Sequence, residues 1–193
     1  MADIRSLHAR SVEDFAALAG GVPPDAWSNP TPCTDWDVRT LVNHVVGEDL
    51  WTVPLVEGAT VAEVGERFDG DLLGADPIGA ADGAARAAIA AFAADDAMER
   101  TVHLSFGDFP GADYAWQLFA DHLVHGWDLA VATGQPPRLD REAVDAVAGW
   151  WTEVEGMYRQ GGVVGKRVEV GPDASDVDRL LAAFGRDSSW QSA

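Results

Sequence analysis

The feature that most constrains the fold of this chain is a series of long stretches with apolar residues at helical spacing, separated by Gly and Pro. Four such stretches cover approximately residues 4–18, 34–55, 78–100 and 112–134. In the first, an apolar stripe is formed by Leu7, Val12, Phe15 and Leu18. The fourth ends at Gly134, a residue type that is common at helix C-termini. The pattern predicts an all-α protein built around a four-helix bundle.

The second stretch contains its own start and stop signals. Thr34 is a suitable N-cap, and Asp37 stands three residues further on, where a carboxylate suits the helix dipole. We expect this helix to run to about Leu55, with a bend near Pro54. In the following segment, residues 57–77, several glycines interrupt the pattern, and we expect only a short helix around 61–68.

The chain beyond the third stretch changes character twice. Val102, Leu104 and Phe106 alternate with polar residues, which predicts a short extended segment or loop. After the fourth stretch the sequence predicts a helix over 140–159, a Gly-rich joint and a short helix over 174–185. We therefore predict one domain over residues 1–193, with a four-helix core at about 1–134 and a C-terminal helical extension at about 135–193.

Composition limits the function classes. With 193 residues, 47% of them apolar, the chain is long enough for one globular core. Its 32 acidic and 13 basic residues give a net charge of -19, which opposes binding to nucleic acid or to anionic membranes. The single cysteine excludes an internal disulfide and fits a reducing compartment. Neither a signal peptide nor a run of transmembrane length is evident, so we expect a cytoplasmic protein.

Three polar residues on two predicted helices have the spacing of a metal site. His44 lies at the border of the apolar stripe of the second helix, where an aliphatic residue would pack better. Asp121 and His125 are four residues apart, so they lie about 40° apart around the axis of the fourth helix. A carboxylate and an imidazole placed in this way can hold one cation, with His44 as the third ligand. Two His and one carboxylate suit zinc, and also iron or nickel.

The same residues also have a simpler interpretation. A lone His at an apolar border is commonly a hydrogen-bonded core residue. The Asp121 and His125 pair, taken alone, has the spacing of a helix-surface ion pair worth about 0.3 kcal/mol. From spacing alone, both interpretations stay open.

Other candidate side chains are expected to have structural roles. His122 can pair with His125 at a spacing of three, but it points partly away, and we predict that it faces outward. His103 is expected at the surface or in a pocket wall, and His8 at the surface or in packing. Cys33 precedes a helix N-terminus, which can activate a thiol, but no His or Lys is near it in sequence. We therefore expect a buried structural thiol.

Three segments together resemble a known family. The segments are "PTPCTDWDVRTLVNHVVG", "ADHLVHGWDLAVATG" and "DRLLAAFGRDSSW", and the likeness extends over nearly the whole chain. They resemble actinobacterial relatives of the mycothiol-dependent maleylpyruvate isomerase metal-binding domain, which belongs to the DinB-like superfamily of four-helix bundles. The resemblance implies a divalent metal, most simply Zn²⁺, with Ni²⁺ or Fe²⁺ as alternatives. It implies His44, Asp121 and His125 as the metal ligands.

The resemblance also assigns a role to Asp128, and this chain departs from the isomerase in two ways. Asp128, three residues beyond the last ligand, is expected to orient a ligand, to assist catalysis or to anchor a neighbouring helix. Trp36 and Trp127 are expected in packing. The isomerase has Glu where this chain has Asp121, and it has a separate C-terminal domain that the extension does not obviously copy. We therefore do not expect isomerisation of maleylpyruvate itself.

Several functions remain open at this point. Three protein ligands leave an open metal position, which favours a thiol transferase or isomerase that presents a mycothiol-type thiolate to a small electrophile. Alternatively, the metal activates water, and Asp128 or Glu48 acts as the base. A non-catalytic protein that binds a metal or an apolar ligand, or an interaction module with only a buried hydrogen-bond network, also fits. The oligomeric state is left as monomer or homodimer.

Overall fold

The computed structural model describes residues 3–162 and 164–191 of the chain. Within them it contains helices and one two-stranded antiparallel hairpin. In chain order these are α1 Ile4–Gly20, α2 Val38–Val56, α3 Val61–Val64, α4 Pro77–Ala91, β1 Thr101–Leu104, β2 Gly107–Pro110, α5 Gly111–Thr133, α6 Arg141–Gln160 and α7 Asp176–Ala183. None of the helices in this described part is both long and apolar enough to cross a membrane.

The predicted bundle is formed by α1, α2, α4 and α5. Helix α1 packs against α4 and α5, and α2 packs against the same two helices from the other side of the core. The apolar stripe of α2 fills the middle, with Leu41, Val42 and Val45 fully buried. The all-α, DinB-like fold class predicted from the sequence is therefore confirmed. The bundle fixes α2 beside α5, the two helices that carry His44, Asp121 and His125.

The start of α2 differs from the prediction. Asp37, and not Thr34, is the N-cap: its Oδ1 accepts a hydrogen bond from the backbone N–H of Thr40 at 2.8 Å. The residues before it form a tight turn, in which Asp35 has a positive φ of 68°. The helix therefore begins only at Val38. The residues that the sequence pattern assigned to its first helical turn form this tight turn instead.

The segments around the hairpin are shorter than the sequence pattern indicated. Helix α4 ends at Ala91, nine residues before the predicted end, and a series of turns follows. Asp95 and Asp96 lie in these turns, where their charges would oppose a helix C-terminus. Helix α3 spans only four residues. The alternating stretch is extended as predicted and forms β1 of the hairpin.

The C-terminal extension packs along α5. Val144, Val147 and Trp151 of α6 are buried together with Phe119 and Val124 of α5. Arg159 joins α6 to α7 by donating a hydrogen bond to the carbonyl of Ala183 at 2.6 Å. The end of α7 and the residues after it consequently lie next to the polar face of α5.

Candidate metal centre

The three residues that the sequence singled out meet between α2 and α5. His44 Nε2 lies 3.8 Å from Asp121 Oδ2, and His125 Nε2 lies 3.4 Å from Asp121 Oδ1. One ligand atom of each residue lies within 4.8 Å of those of the other two. The side chains of His44 and Asp121 are 31% and 30% exposed, so the group is open to solvent on one side.

The tautomer of His125 follows from its other nitrogen. His125 Nδ1 lies 3.0 Å from Asp128 Oδ2, one turn further along α5. Because a carboxylate is only an acceptor, Nδ1 carries a hydrogen and donates it. In the neutral ring, the lone pair is then on Nε2, the atom that faces Asp121. A carboxylate behind a histidine is the usual support of a metal-binding imidazole.

Asp128 is itself held by Arg186, from the segment after α7. Arg186 Nε donates to Asp128 Oδ1 at 3.1 Å, and an Nη donates to Oδ2 at 2.8 Å. Asp128 is fully buried and is not among the residues that line the cavity described below. It is therefore placed to orient His125 and not to touch a substrate.

The charges at the triad fit a cation. Burial alone would favour the uncharged forms of both Asp121 and His125. Their attraction nevertheless holds the pKa of Asp121 below, and the pKa of His125 well above, the usual values. Asp121 Oδ2 is buried and has no hydrogen-bond partner among the described residues. A carboxylate that faces one imidazole Nε2 with each oxygen, with Oδ2 left unpartnered, is a donor set that matches a divalent metal.

A second group of ligand-type residues adjoins the triad. Cys33, His125 and Asp128 also have ligand atoms within 4.8 Å of one another. Here, however, the guanidinium of Arg186 lies 3.0 Å from Cys33 Sγ and 2.8 Å from Asp128 Oδ2. The guanidinium of Arg186 thus already occupies the place of a cation in this second group. The triad therefore remains the candidate metal centre.

A cavity of about 510 Å³ opens at the triad. The bundle contributes His44, Glu48, Asp121 and His125 to its lining. Burial, followed by the charge of Asp121, raises the pKa of Glu48 to about 7. A second cavity of about 220 Å³, beside the hairpin, shares Glu48 with the first. The carboxyl group of Glu48 is therefore placed to exchange a proton near neutral pH at the junction of the two cavities.

The extension forms much of the remaining wall of the larger cavity. Its contribution includes Trp150, Trp151, Tyr158, Phe184 and Arg186. The appended helices therefore close over one side of the site, a question that the sequence left open.

The comparison with known proteins agrees with this architecture. The sequence profile of the mycothiol maleylpyruvate isomerase N-terminal domain matches residues 8–130. The chain belongs to this family. Two relatives from Mycobacterium tuberculosis, the uncharacterized proteins MT0763 of strain CDC 1551 and Rv0738 of strain H37Rv, are each 36% identical over 146 residues. The matched region covers 73% of this chain and 74% of each relative. No solved structure matches the chain significantly.

As a member of this family, the chain is a mycothiol-related, DinB-like metal-binding domain. The triad lies entirely within the matched segment. Arg186 and the aromatic wall of the extension lie outside it.

Cys33 has different surroundings from those expected. It lies in the cavity wall, half-buried, and its thiol donates to Asp128 Oδ2 at 3.2 Å. Thr31 shapes this turn: its hydroxyl accepts from the backbone N–H of Cys33 and donates to the carbonyl of Trp36. Trp36 packs as predicted, but against the rings of His44 and His125, with centroids 4.9 Å and 5.9 Å away, and it also lines the cavity.

His122 is buried, contrary to the prediction that it faces outward. Its Nδ1 lies 2.8 Å from the carbonyl oxygen of Leu118, and its Nε2 lies 3.1 Å from Asp49 Oδ1, although the angle at this second contact is poor for a hydrogen bond. The carboxylate beside Nε2 nevertheless favours the protonated ring, because it provides an ion-pair partner for the charge. Burial acts to lower the pKa of His122, but the charge and contact of Asp49, together with Asp121 and the Leu118 carbonyl, raise it above the usual value.

The remaining predicted residues have structural positions. His8 is fully buried in packing, next to the ring of Phe92 at 4.8 Å. His103 lies on the hairpin, where its Nδ1 is 2.7 Å from Asp108, away from the triad. Trp127 is buried, as expected for a packing residue. The functional residue that the sequence reasoning missed is Arg186; the only signal was its place in the "DRLLAAFGRDSSW" segment of the resemblance.

Proposed function

We propose that the protein binds one divalent metal, most simply Zn²⁺, through His44, Asp121 and His125, and acts as a metal-dependent thiol transferase or isomerase on a small electrophile. The observation that carries this proposal is the carboxylate of Asp121, whose two oxygens face the Nε2 atoms of His44 and His125 while its buried Oδ2 has no hydrogen-bond partner among the described residues. A metal with three protein ligands would supply an open position at which the pKa of a bound thiol is lowered. The family supports a mycothiol-type thiol as that cosubstrate.

The protein's own residues have separable roles in this proposal. Asp128 and Arg186 hold His125 in the tautomer that presents Nε2. Glu48 accepts the proton that the thiol releases, because its side chain lines the same cavity as the triad. Trp36 packs against both imidazoles and limits their rotation.

Metal content tests the first half of the proposal. Protein purified without a histidine tag should contain about one equivalent of metal per chain, as three-ligand sites do. His44→Ala should lose it, whereas His103→Ala, which removes an imidazole on the hairpin, should not. Wild-type protein that stays metal-free after addition of Zn²⁺, Ni²⁺ or Fe²⁺ would overturn the proposal.

Thiol-dependent turnover tests the second half. With mycothiol and a panel of small electrophiles, the metal-loaded protein should convert an electrophile faster only when the thiol is present, and His44→Ala should abolish the acceleration. Net loss of free thiol would identify a transferase, and conversion without net loss would identify an isomerase. Metal binding without any turnover would leave a non-catalytic metal-binding bundle. Hydrolysis of the electrophile without thiol consumption would identify the metal-dependent hydrolase instead.

A further inference from the structure

The wall that the C-terminal extension gives to the cavity is aromatic. Trp150, Trp151 and Tyr158 project from α6, and Phe184 follows α7. These rings pack on one another, with centroids 4.2 Å apart for Trp151 and Phe184 and 5.7 Å apart for Trp150 and Tyr158. Trp150 is only half-buried and also stacks on Trp116 outside the cavity, with the ring planes 9° apart. Its indole therefore offers a supported flat surface to a ligand.

The charges in the same cavity are unfavourable for an anion. Among the described residues that line it, Arg186 is the one side chain with a fixed positive charge. Its guanidinium already donates to the carboxylate of Asp128, to the sulfur of Cys33 and to the carbonyl of Phe184. The charge of Arg186 is thus balanced inside the protein by buried Asp128, and a ligand carboxylate would find no free cationic side chain among the described residues that line the cavity.

Negative groups add to this effect. Asp121 and Glu48 both line the cavity. In the proposed centre the two positive charges of the metal would be balanced by Asp121 and the bound thiolate, so Glu48 would face an approaching anion with no net positive charge beside it. An anionic electrophile would have to leave its water shell and approach these groups without a partner, which is costly. An uncharged ring would instead be favoured by contact with the aromatic wall.

We propose that the electrophile accepted by this cavity is an uncharged molecule with a flat aromatic ring, which lies against Trp150 and its neighbours on the C-terminal extension. This inference rests on the proposed function for its chemistry, because it names the class of the second substrate. It makes the extension the part of the chain that determines which electrophile is used, and it excludes small dicarboxylates.

A matched pair of unreactive ligands tests the inference. 2-Naphthamide and 2-naphthoate have the same rings and differ in charge, and maleate supplies the charge without the rings. Isothermal titration calorimetry of the wild-type protein saturated with metal and mycothiol, so that the open metal position is filled, should show the naphthoate binding at least about tenfold more weakly than the naphthamide, and no binding of maleate. Naphthoate or maleate binding as tightly as naphthamide would overturn the inference, and so would the absence of naphthamide binding.

Variants locate the ligand. Trp150→Leu should weaken naphthamide binding by roughly fivefold to tenfold, the value of one aromatic contact. Trp190→Leu is the control, since Trp190 is also half-buried but packs against the bundle core and is not among the residues that line the cavity. Phe184→Leu, a milder change in the same wall, should weaken binding as well. Equal affinity for wild-type protein and both wall variants would place the ligand elsewhere and refute the inference.

The His44→Ala variant separates this inference from the proposed function. The aromatic wall does not include His44, so this variant should keep its preference for naphthamide after it has lost metal and turnover. Wild-type protein without metal or thiol turnover that still prefers naphthamide would refute only the proposed function. Metal and turnover without that preference would refute only the present inference.

Discussion

The carboxylate of Asp128 has three neighbours. It accepts from His125 Nδ1, from the guanidinium of Arg186 and from the thiol of Cys33. Such a fully buried group is tolerated because the charge of Arg186 compensates it. Asp128 thereby links the candidate metal ligand to the segment after α7.

Replacing Asp128 with Asn should test whether Asp128 orients His125 for metal binding without being a metal ligand itself. We expect Asp128→Asn to lower metal affinity by about 10- to 100-fold, the usual effect of losing a carboxylate behind a metal-binding histidine. It should also lower the free energy of unfolding by roughly 3 kcal/mol or more, because Arg186 is left without its buried partner. Competition with a chromophoric chelator measures the first effect, and urea unfolding measures the second.

The control for this prediction is Asp108→Asn on the hairpin. Asp108 also pairs with a histidine, His103, but its side chain is 66% exposed and lies away from the site. This variant should keep wild-type metal affinity and stability. An Asp128→Asn protein that matches it in both measurements would show that Asp128 does not orient His125.

Asp121 and His125 could be predicted as a pair because their relation is local, whereas His44 was linked to them by its place at an apolar border and by the family resemblance. A spacing of four on one helix places Asp121 beside His125 in any helical fold. Arg186 and Cys33 join them only through contacts between distant parts of the chain, which no spacing records. His122 was mispredicted because the face of α5 turned away from the triad is packed against other helices, and not exposed.

At the scale of elements, the first turn of α2 decides where His44 lies. The helix starts after Asp37, whose side chain accepts from both the backbone N–H and the hydroxyl of Thr40. His44 is then just under two turns into the helix, level with Asp121 of α5. The cap therefore affects the position of a candidate ligand as well as the stability of the helix.

Two alanine variants distinguish the observed cap from the expected one. Asp37→Ala should lower the free energy of unfolding by about 1 kcal/mol, because the N–H of Thr40 loses its acceptor. Thr34→Ala, at the exposed position that the sequence suggested, should change it by less than about 0.5 kcal/mol. Urea unfolding of the two variants decides between them; a larger loss for Thr34→Ala would place the cap there.

Element boundaries were predictable where a single residue fixes them. Gly134 terminates α5 with a φ of 69°, a left-handed conformation that glycine adopts readily, and the prediction at this end is confirmed. The end of α4 was not predictable from its alanines, because they favour helix on both sides of Ala91. Arg5 of α1 donates to the carbonyls of Ala93 and Asp95 and so stabilises the turns that replace the helix.

At the scale of the whole molecule, buried histidines affect the response of the protein to acid. His8 is fully buried, and neither of its ring nitrogens has a hydrogen-bond partner among the described residues. Burial, together with the nearby charge of His122, lowers the pKa of His8 to about 3. In the unfolded chain the same ring has an ordinary pKa near 6.5. Between these two values only the unfolded state takes up a proton here, so stability falls as the pH falls from about 6.5 towards 3.

Replacing His8 with Leu should remove that contribution. For metal-free protein, the free energy of unfolding of the wild type should decrease with acid more steeply than that of His8→Leu, by up to about 1.4 kcal/mol per pH unit below pH 6.5. Urea unfolding at pH 7.5, 6.0 and 5.0 gives the two slopes. His103→Leu, at a partly exposed position on the hairpin, should follow the wild type. Parallel slopes for wild type and His8→Leu would show that His8 is not the source.

The division of the cavity between two parts of the chain has a consequence for how such proteins diversify. The candidate ligands come from α2 and α5, and the aromatic wall comes from α6 and the residues around α7. Mutations that reshape the wall can therefore accumulate without moving a ligand, so that an ancestral centre is inherited intact while its substrate range drifts. Relatives that share the first 130 residues need not share a substrate, and their extensions are the place to look for the difference.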